Sequence, residues 1–301
     1  MKRRFALSID LDPLSCYRNI YALPQGLQTE RENDPVYTKA IPRFCELCDS
    51  LGIKGTLFIV GESLDQPNSV QSASQAAEAG HELANHTHNH HYDLSKTAKE
   101  EQITLCSDAI EKACGIRPVG FRAPGYLLGS SLLPLLPAEG FRYDSSVLPS
   151  PAYQGLKASV LTLMRLLGRP SASILGDPRE ALVPSVPYRP HPHRPWRRGM
   201  SSLVELPISA PLGLPLTGGL LALGGRPLSK VLAARLASAE WVQLELHGVD
   251  LLDLVSDGLD PALGAERSLR IDWRKKMGLY RAFIEKVIEG REVPRLCDVK
   301  L

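Results

Sequence analysis

Long apolar runs are missing from this 301-residue sequence. None approaches the roughly 18 residues that a bilayer-spanning helix needs. The opening stretch, MKRRFALSIDLD, sets basic residues before an apolar run, but Asp10 and Asp12 interrupt it. That run is too short and too acidic for a signal-peptide core, and a cytoplasmic protein is expected. Charge of one sign is also missing. A net charge of +2 gives no global electrostatic reason to expect nucleic acid. Internal repeats and low-complexity linkers are absent, so one domain over residues 1–301 is expected, long enough to bury a sizeable core. Cys45 and Cys48 form a C-x-x-C, but no second one completes a four-cysteine zinc site. The pair lies late in a stretch of helical period, not at a helix start where a thioredoxin-like motif sits, and reads as two small core residues.

What is present is alternation. FALSID, IKGTLFIVG, HELANH, PVGFRAP and FRYDSS read as strands. Between them lie helical patterns around 36–51, over NSVQSASQAAEAG, and over SKTAKEEQITLCSDAIEKACG, with Ser95 as N-cap and Gly115 as stop. A short helix is expected around 129–139. Strand–helix alternation implies a parallel sheet covered by helices. From 149 to 200 the pattern breaks into an amphipathic helix, YQGLKASVLTLMRLLGR, and the aperiodic PSVPYRPHPHRPWRRGM. This segment reads as an insertion or lid. Order returns with SLVELPIS, a turn at LTGG, a helix over LSKVLAARLASA, the strand WVQLELHG and a closing helix.

Polar groups fall where strands end. Asp10 and Asp12 close the first strand and, two apart, point to one side. Two such carboxylates repel, and a cation or an arginine would relieve them. His86, His88, His90 and His91 crowd into six positions, far denser than chance. His86 and His90 have the four-residue separation that brings side chains onto one face of a helical turn, whereas His86 and His88 would share a side if the strand continued. GFRAPGY offers Arg122, which can clamp a carboxylate, and a Gly turn that can aim a backbone N–H at an oxyanion. His247 ends a late strand. Candidate groups at the ends of successive strands favour a barrel with one shared site at its C-terminal face.

In this order the motifs resemble the polysaccharide deacetylases, NodB-like carbohydrate esterases of family four. That family has an acidic pair on its first strand, a His-[Ser/Thr]-x-x-His motif, an Arg-x-Pro and a late Leu-His. Here these are Asp10 and Asp12, His86 to His90, Arg122-Ala123-Pro124 and Leu246-His247. The Asp-x-Asp spacing, where most members have Asp-Asp, resembles a branch of cytoplasmic deacetylases and of deformylases acting on lipid-linked aminosugars. The match runs from residue 5 to about 148 and resumes near 201. The resemblance implies an α/β fold, a distorted (β/α) barrel of about seven strands with an insertion after the fifth.

It also implies roles. Asp12, His86 and His90 would bind one divalent metal. Zinc suits such a set best, and cobalt, manganese or iron also fit it. Asp10 would be the general base, held ionised by Arg122. The Gly125 N–H would stabilise the oxyanion, with Tyr126 and Leu246 at the substrate. His247 would protonate the leaving amine, and Asp144 would tune His247 or Arg122. His88 and His91 would be bystanders. The implied reaction is hydrolysis of an N-acyl group from an amino sugar, free or on a lipid carrier. Alternatives are a deformylase or amidase on another amide, or an inactive glycan-binding relative. In the insertion, Arg189, His191, His193, Arg194, Arg197 and Arg198 adjoin an apolar helix bearing Leu156, Val160, Leu161, Leu163, Leu166 and Leu167. Such a surface suits a phosphate-linked lipid or an anionic membrane, or else a lid packed on the barrel.

Overall fold

A computed structural model describes residues 2–92, 96–127, 129–166, 168, 179 and 183–301. Its strands are β1 (Arg4–Leu11), β2 (Thr56–Ile59), β3 (Glu82–Asn85), β4 (Gly120–Phe121), β5 (Tyr143–Asp144), β6 (Pro190–His191), β7 (Arg194–Arg198), β8 (Val204–Glu205) and β9 (Trp241–His247). Seven of them form one sheet in the order β8-β5-β4-β3-β2-β1-β9, every pair parallel. The sheet curls into a distorted (β/α) barrel. Its helices are α1 (Leu14–Ile20), α2 (Gln28–Glu32), α3 (Ile41–Leu51), α4 (Pro67–Glu78), α5 (Lys96–Cys114), α6 (Gly129–Ala138), α7 (Pro151–Leu166), α8 (Gly218–Leu236) and α9 (Trp273–Ile288).

Strands buried on both faces read as near-continuous apolar runs, and β1 and β9 do so. Alternation then assigns the faces. Leu7, Ile9 and Leu11 join Leu244 and Leu246 in the main core with Phe44 and Leu47 of α3, Leu232 of α8 and Phe283 of α9. The opposite residues line the interior. At the bottom, Ala6, Phe58, Ala84, Tyr143 and Trp241 pack together as an apolar plug. Above them come Ser8 and Gln243, then Asp10, Glu245 and His247. An apolar floor beneath a polar upper layer confines the chemistry to the C-terminal mouth.

The two edge strands, β8 and β9, are not neighbours in the sheet. Irregular backbone bridges them. The Leu206 N–H donates to Asp144 O (2.8 Å) and the Ile208 N–H to Val147 O (3.0 Å) on one side. On the other, Glu245 N–H donates to Leu216 O (3.1 Å), and Trp241 Nε1–H to Pro207 O (2.8 Å).

Several sequence expectations change. The aperiodic Pro- and Arg-rich run is not structureless, because Pro190–His191 and Arg194–Arg198 pair as an antiparallel hairpin. The stretches FRYDSS and SLVELPIS contribute only two paired residues each. LTGG is not a free turn: Thr217 caps α8, its hydroxyl accepting from Leu220 N–H at 3.2 Å. The proposed cap Ser95 lies outside the described residues. Cys48 is buried and Cys45 half-buried on α3, packed into the core as expected. No described helix is long and apolar enough to cross a membrane.

Candidate metal and catalytic site

Asp12 lies just past β1 and His86 just past β3, two strands separated only by β2, so both reach the barrel mouth. Their side chains converge with His90. His86 Nε2 lies 3.2 Å and His90 Nε2 3.1 Å from Asp12 Oδ1. Among the described residues these three form one of two groups whose ligand atoms all lie within 4.8 Å of one another. Asp12 is buried, and both imidazole nitrogens stand within hydrogen-bond distance of its Oδ1. Two imidazoles converging on one buried carboxylate make a donor set that a divalent cation fits. His86 is oriented for that role, because its Nδ1 bonds the Arg122 carbonyl at 2.7 Å, which leaves Nε2 as the ligand atom. Cys16 supports His90 in the same way, through a side-chain hydrogen bond.

The loop geometry corrects one expectation. His86 and His90 do not meet on a helical turn. The backbone from 86 to 90 is irregular, with Thr87 (φ 64°) and His90 (φ 54°) both left-handed. Such conformations in non-glycine residues cost free energy and persist where surrounding structure fixes them. Here Asn85 accepts from Thr87 N–H (2.8 Å), and Gly61 and Glu62 N–H donate to Thr87 O and His88 O. His88 turns toward Gly61, where a Cβ would meet its Nδ1 at 2.7 Å, and His91 is exposed. Neither joins the Asp12 cluster.

Asp10 pairs with His247 across the β1–β9 register, so the two share a face. Arg122, fully buried, meets Asp10 Oδ1 at 2.5 Å. Its remaining donors go to Ser8 Oγ, Ser145 O and Ser145 Oγ, and its plane stacks on Phe58 at 4.0 Å. Burial pushes the Asp10 carboxyl up, but Arg122 and His86 outweigh it and hold Asp10 below its ordinary value. Burial acts likewise on Asp12, and the two histidines hold it well below. Burial opposes charge on His86 and His90, yet the neighbouring aspartates raise both. A cation displaces those protons, so its affinity falls as pH falls.

The sequence reading missed Glu245. It is fully buried, 3.5 Å from Arg122 and 3.9 Å from His247. Tyr126 donates its hydroxyl to Glu245 at 2.9 Å. Asp10, Glu245 and His247 form the second convergent group. Burial and the Asp10 charge push Glu245 up to about 8. Burial disfavours charge on His247, but Glu245 and Asp10 overcome it and raise the imidazole to about 9. The signal was in the sequence: Glu245 is an acid inside an apolar strand, two residues before His247 and so on its face.

Asp144 is buried, and its carboxylate takes Ser146 Oγ (2.6 Å) and a hydrogen bond with Glu205. Burial raises both acids, and their mutual bond needs a shared proton. The Arg122 charge acts on both, so an influence of Asp144 on Arg122 stands as a proposal. Leu246 is corrected. It faces the helical core rather than the mouth, against Gly218, where a Cβ would meet it at 2.7 Å. Gly125 (φ 61°) and Tyr126 (φ 63°) form a left-handed turn beside Tyr92. The Tyr126 N–H is spent within that turn on Ala123 O, so Tyr126 enters the site through its hydroxyl. Tyr153 of α7 packs on Tyr126 (6.2 Å between rings), which brings α7 to the mouth.

Glu245→Gln is expected to lower the His247 pKa by about one unit or more, since it removes the carboxylate that favours the imidazolium. A reaction needing protonated His247 then loses rate at lower pH, and the alkaline limb of kcat/KM moves toward neutrality. An unmoved limb would separate Glu245 from His247.

A distorted parallel barrel with an Asp-His-His cluster and an Asp-Glu-His group at its C-terminal mouth defines a class of hydrolase-like site, and known proteins show what the chain resembles. Residues 33–143 match the family described as polysaccharide deacetylase. A peptidoglycan deacetylase of Helicobacter pylori is 29% identical over 110 residues, 36% of this chain and 37% of that protein. A peptidoglycan deacetylase-like protein of Gibberella zeae is 32% identical over 111 residues, 36% of this chain and 32% of that protein. The alignments thus span about a third of these relatives' length. The crystal structure of a candidate polysaccharide deacetylase from Mycobacterium smegmatis superposes with a TM-score of 0.62 at 21% identity, covering 97% of this chain and 86% of that one. Over residues 33–143 the chain is similar to the polysaccharide deacetylases, and the likeness along nearly its whole length to the Mycobacterium smegmatis structure is one of fold.

Proposed function

We propose that this protein hydrolyses the N-acetyl group of an amino sugar within a glycan, with a divalent cation held by Asp12, His86 and His90. The observation that carries the reading is the convergence of Asp12, His86 and His90 on one buried point, with a carboxylate and a histidine beside it suited to act as base and acid. Two imidazoles and one carboxylate suit zinc, as they suit cobalt, manganese or iron. When bound, the cation supplies Lewis acidity to the acyl carbonyl and to water.

The chain's own groups do the rest. Asp10, kept ionised by Arg122, takes the proton of the attacking water. His247, kept charged by Glu245 and Asp10, gives a proton to the leaving nitrogen, without which an amine is a poor leaving group. The Gly125 turn offers a backbone N–H to the developing oxyanion. Tyr92, Tyr126 and Tyr153 wall the mouth. A finer reading, a sugar carried on a lipid, is supported by α7. Its first turn reaches the mouth through Tyr153, while Val160, Leu163 and Leu166 stand exposed further along.

The test is a screen for released acetate and formate over N-acyl sugars with and without lipid carriers. Acetate release is expected, abolished by chelation and restored by zinc or cobalt. Undiminished release from protein shown to be metal-free overturns the cation's role. Release of formate alone changes the acyl group.

A further inference from the structure

A row of hydrogen bonds runs in one direction away from His86. Its Nδ1 carries the proton and donates to the Arg122 carbonyl (2.7 Å), because a carbonyl only accepts. That carbonyl belongs to the Arg122–Ala123 peptide, whose own N–H donates to Ser146 Oγ at 2.7 Å. The Ser146 hydroxyl in turn donates to Asp144 Oδ1 at 2.6 Å. An Asx turn, with Ser146 N–H on Asp144 Oδ2 at 3.1 Å, fixes that acceptor in place. Glu205 closes the row. Its bond with Asp144 lowers Asp144 and raises Glu205, so the shared proton sits on Glu205 and Asp144 accepts it.

Strand order explains the row. His86 follows β3, Arg122 and Ala123 follow β4, Asp144 ends β5 and Glu205 ends β8, and these four strands are consecutive in the sheet. The row therefore joins four strand ends, from the histidine loop to the sheet edge. His86, Ala123, Ser146, Asp144 and Glu205 are all buried, so bulk water cannot replace a lost link. Hydrogen bonds in such a chain polarise one another in the low dielectric of the interior. An N–H bonded to Ser146 makes the carbonyl of the same peptide a stronger acceptor. A stronger acceptor at Nδ1 fixes the ring and makes Nε2 a more basic ligand atom.

We propose that Ser146 and Asp144 are positioning residues for His86, holding its ring and strengthening Nε2 as a ligand through the Arg122–Ala123 peptide. The inference rests on the reading of Asp12, His86 and His90 as a cation site. It gives Asp144 a target other than the Arg122 guanidinium or His247: a backbone amide one strand away, and through it the metal ligand of the strand beyond.

Zinc affinity of the full chain is read by competition with a chromophoric chelator, and acetate release is followed in parallel. Ser146→Ala is expected to bind zinc about tenfold more weakly, the lower end of what outer partners of a ligating histidine contribute. Asp144→Asn keeps an acceptor oxygen without the charge and is expected to weaken zinc severalfold. Val147→Ala controls for lost packing, since Val147 is the next residue and is buried in the neighbouring apolar cluster. It is expected to lower the melting temperature and keep parental zinc affinity. With isotope-labelled histidine, the His86 Nδ1 proton resonance is expected to move upfield in Ser146→Ala and to stay in Val147→Ala. Parental zinc affinity in Ser146→Ala, an unmoved resonance, or an equal loss of zinc in Val147→Ala overturns the role of Ser146. Parental affinity in Asp144→Asn overturns that of Asp144. A parent chain that binds no zinc overturns the cation reading and this inference together. Zinc binding that depends on Ser146 without acetate release supports the inference and overturns the deacetylase reading.

Discussion

Asp10→Asn is expected to cut acetate release by about 10²–10⁴-fold, the usual contribution of a positioned general base, with the cation still bound at full stoichiometry. Asparagine keeps an acceptor oxygen for Arg122 and removes only the group that takes a proton. Asp10 suits the base role because Arg122 sits 2.5 Å away and keeps it ionised. Asp12, two residues on, lies closer to the imidazoles, at 3.1 and 3.2 Å, whereas Asp10 Oδ2 stands 3.7 Å from His86. The measurement pairs turnover with metal content. Near-parental turnover would remove Asp10 from the reaction. Lost turnover with lost metal would make it a ligand rather than a base.

Arg122→Met is expected to cost about 3–5 kcal/mol of stability, the scale for stripping one partner from a buried ion pair. That corresponds to a melting temperature lower by on the order of 10 °C. The guanidinium is fully buried, and its loss leaves Asp10 and Glu245 facing each other without a counter-charge. The hydroxyls of Ser8 and Ser145 lose a donor as well. The sign of the pH dependence follows. Arg122 holds Asp10 below its unfolded pKa, so its contribution is present above the unfolded carboxylate value and fades as pH falls through the folded one. Parent and variant should therefore converge in acid. Thermal melts across pH check this, and a variant as stable as the parent at neutral pH would show that these carboxylates are neutralised elsewhere.

Much of the site was legible because it depends on local geometry. Asp10 with Asp12, and His247 at a strand end, are read from a period of two and from apolar runs that stop. The same period, applied once more, would have found Glu245 and turned Leu246 toward the helices, so those two were legible and unread. The histidine pair was found by its spacing, but the spacing was tied to a helical turn. The loop achieves the same approach with Thr87 and His90 in left-handed backbone that nothing in HTHNHH announces.

Asp144 is a different case. YDSS places an acid at a strand end, yet whether it tunes the site depends on its neighbour in the sheet. β5 lies beside β8, in register Asp144 to Glu205, and that pairing spans an insertion of aperiodic sequence. A carboxylic acid there takes the Asp144 hydrogen bond, while Arg122 acts on Asp144 through its charge. The hairpin of residues 190–198 was unreadable for a related reason: proline and arginine carry little strand propensity, and the pairing is imposed by packing.

By itself, the sequence determined which residues share a face and where each strand gives way to polar groups, because side-chain direction along a strand is fixed by the backbone of that strand alone. Only the tertiary structure decided which carboxylate meets which cation. It set Asp12 between two imidazoles, Glu245 rather than Asp144 beside His247, and Cys16 behind His90. Those choices rest on strand order and register, and on the cost of leaving a buried charge without a partner, which no single segment can settle.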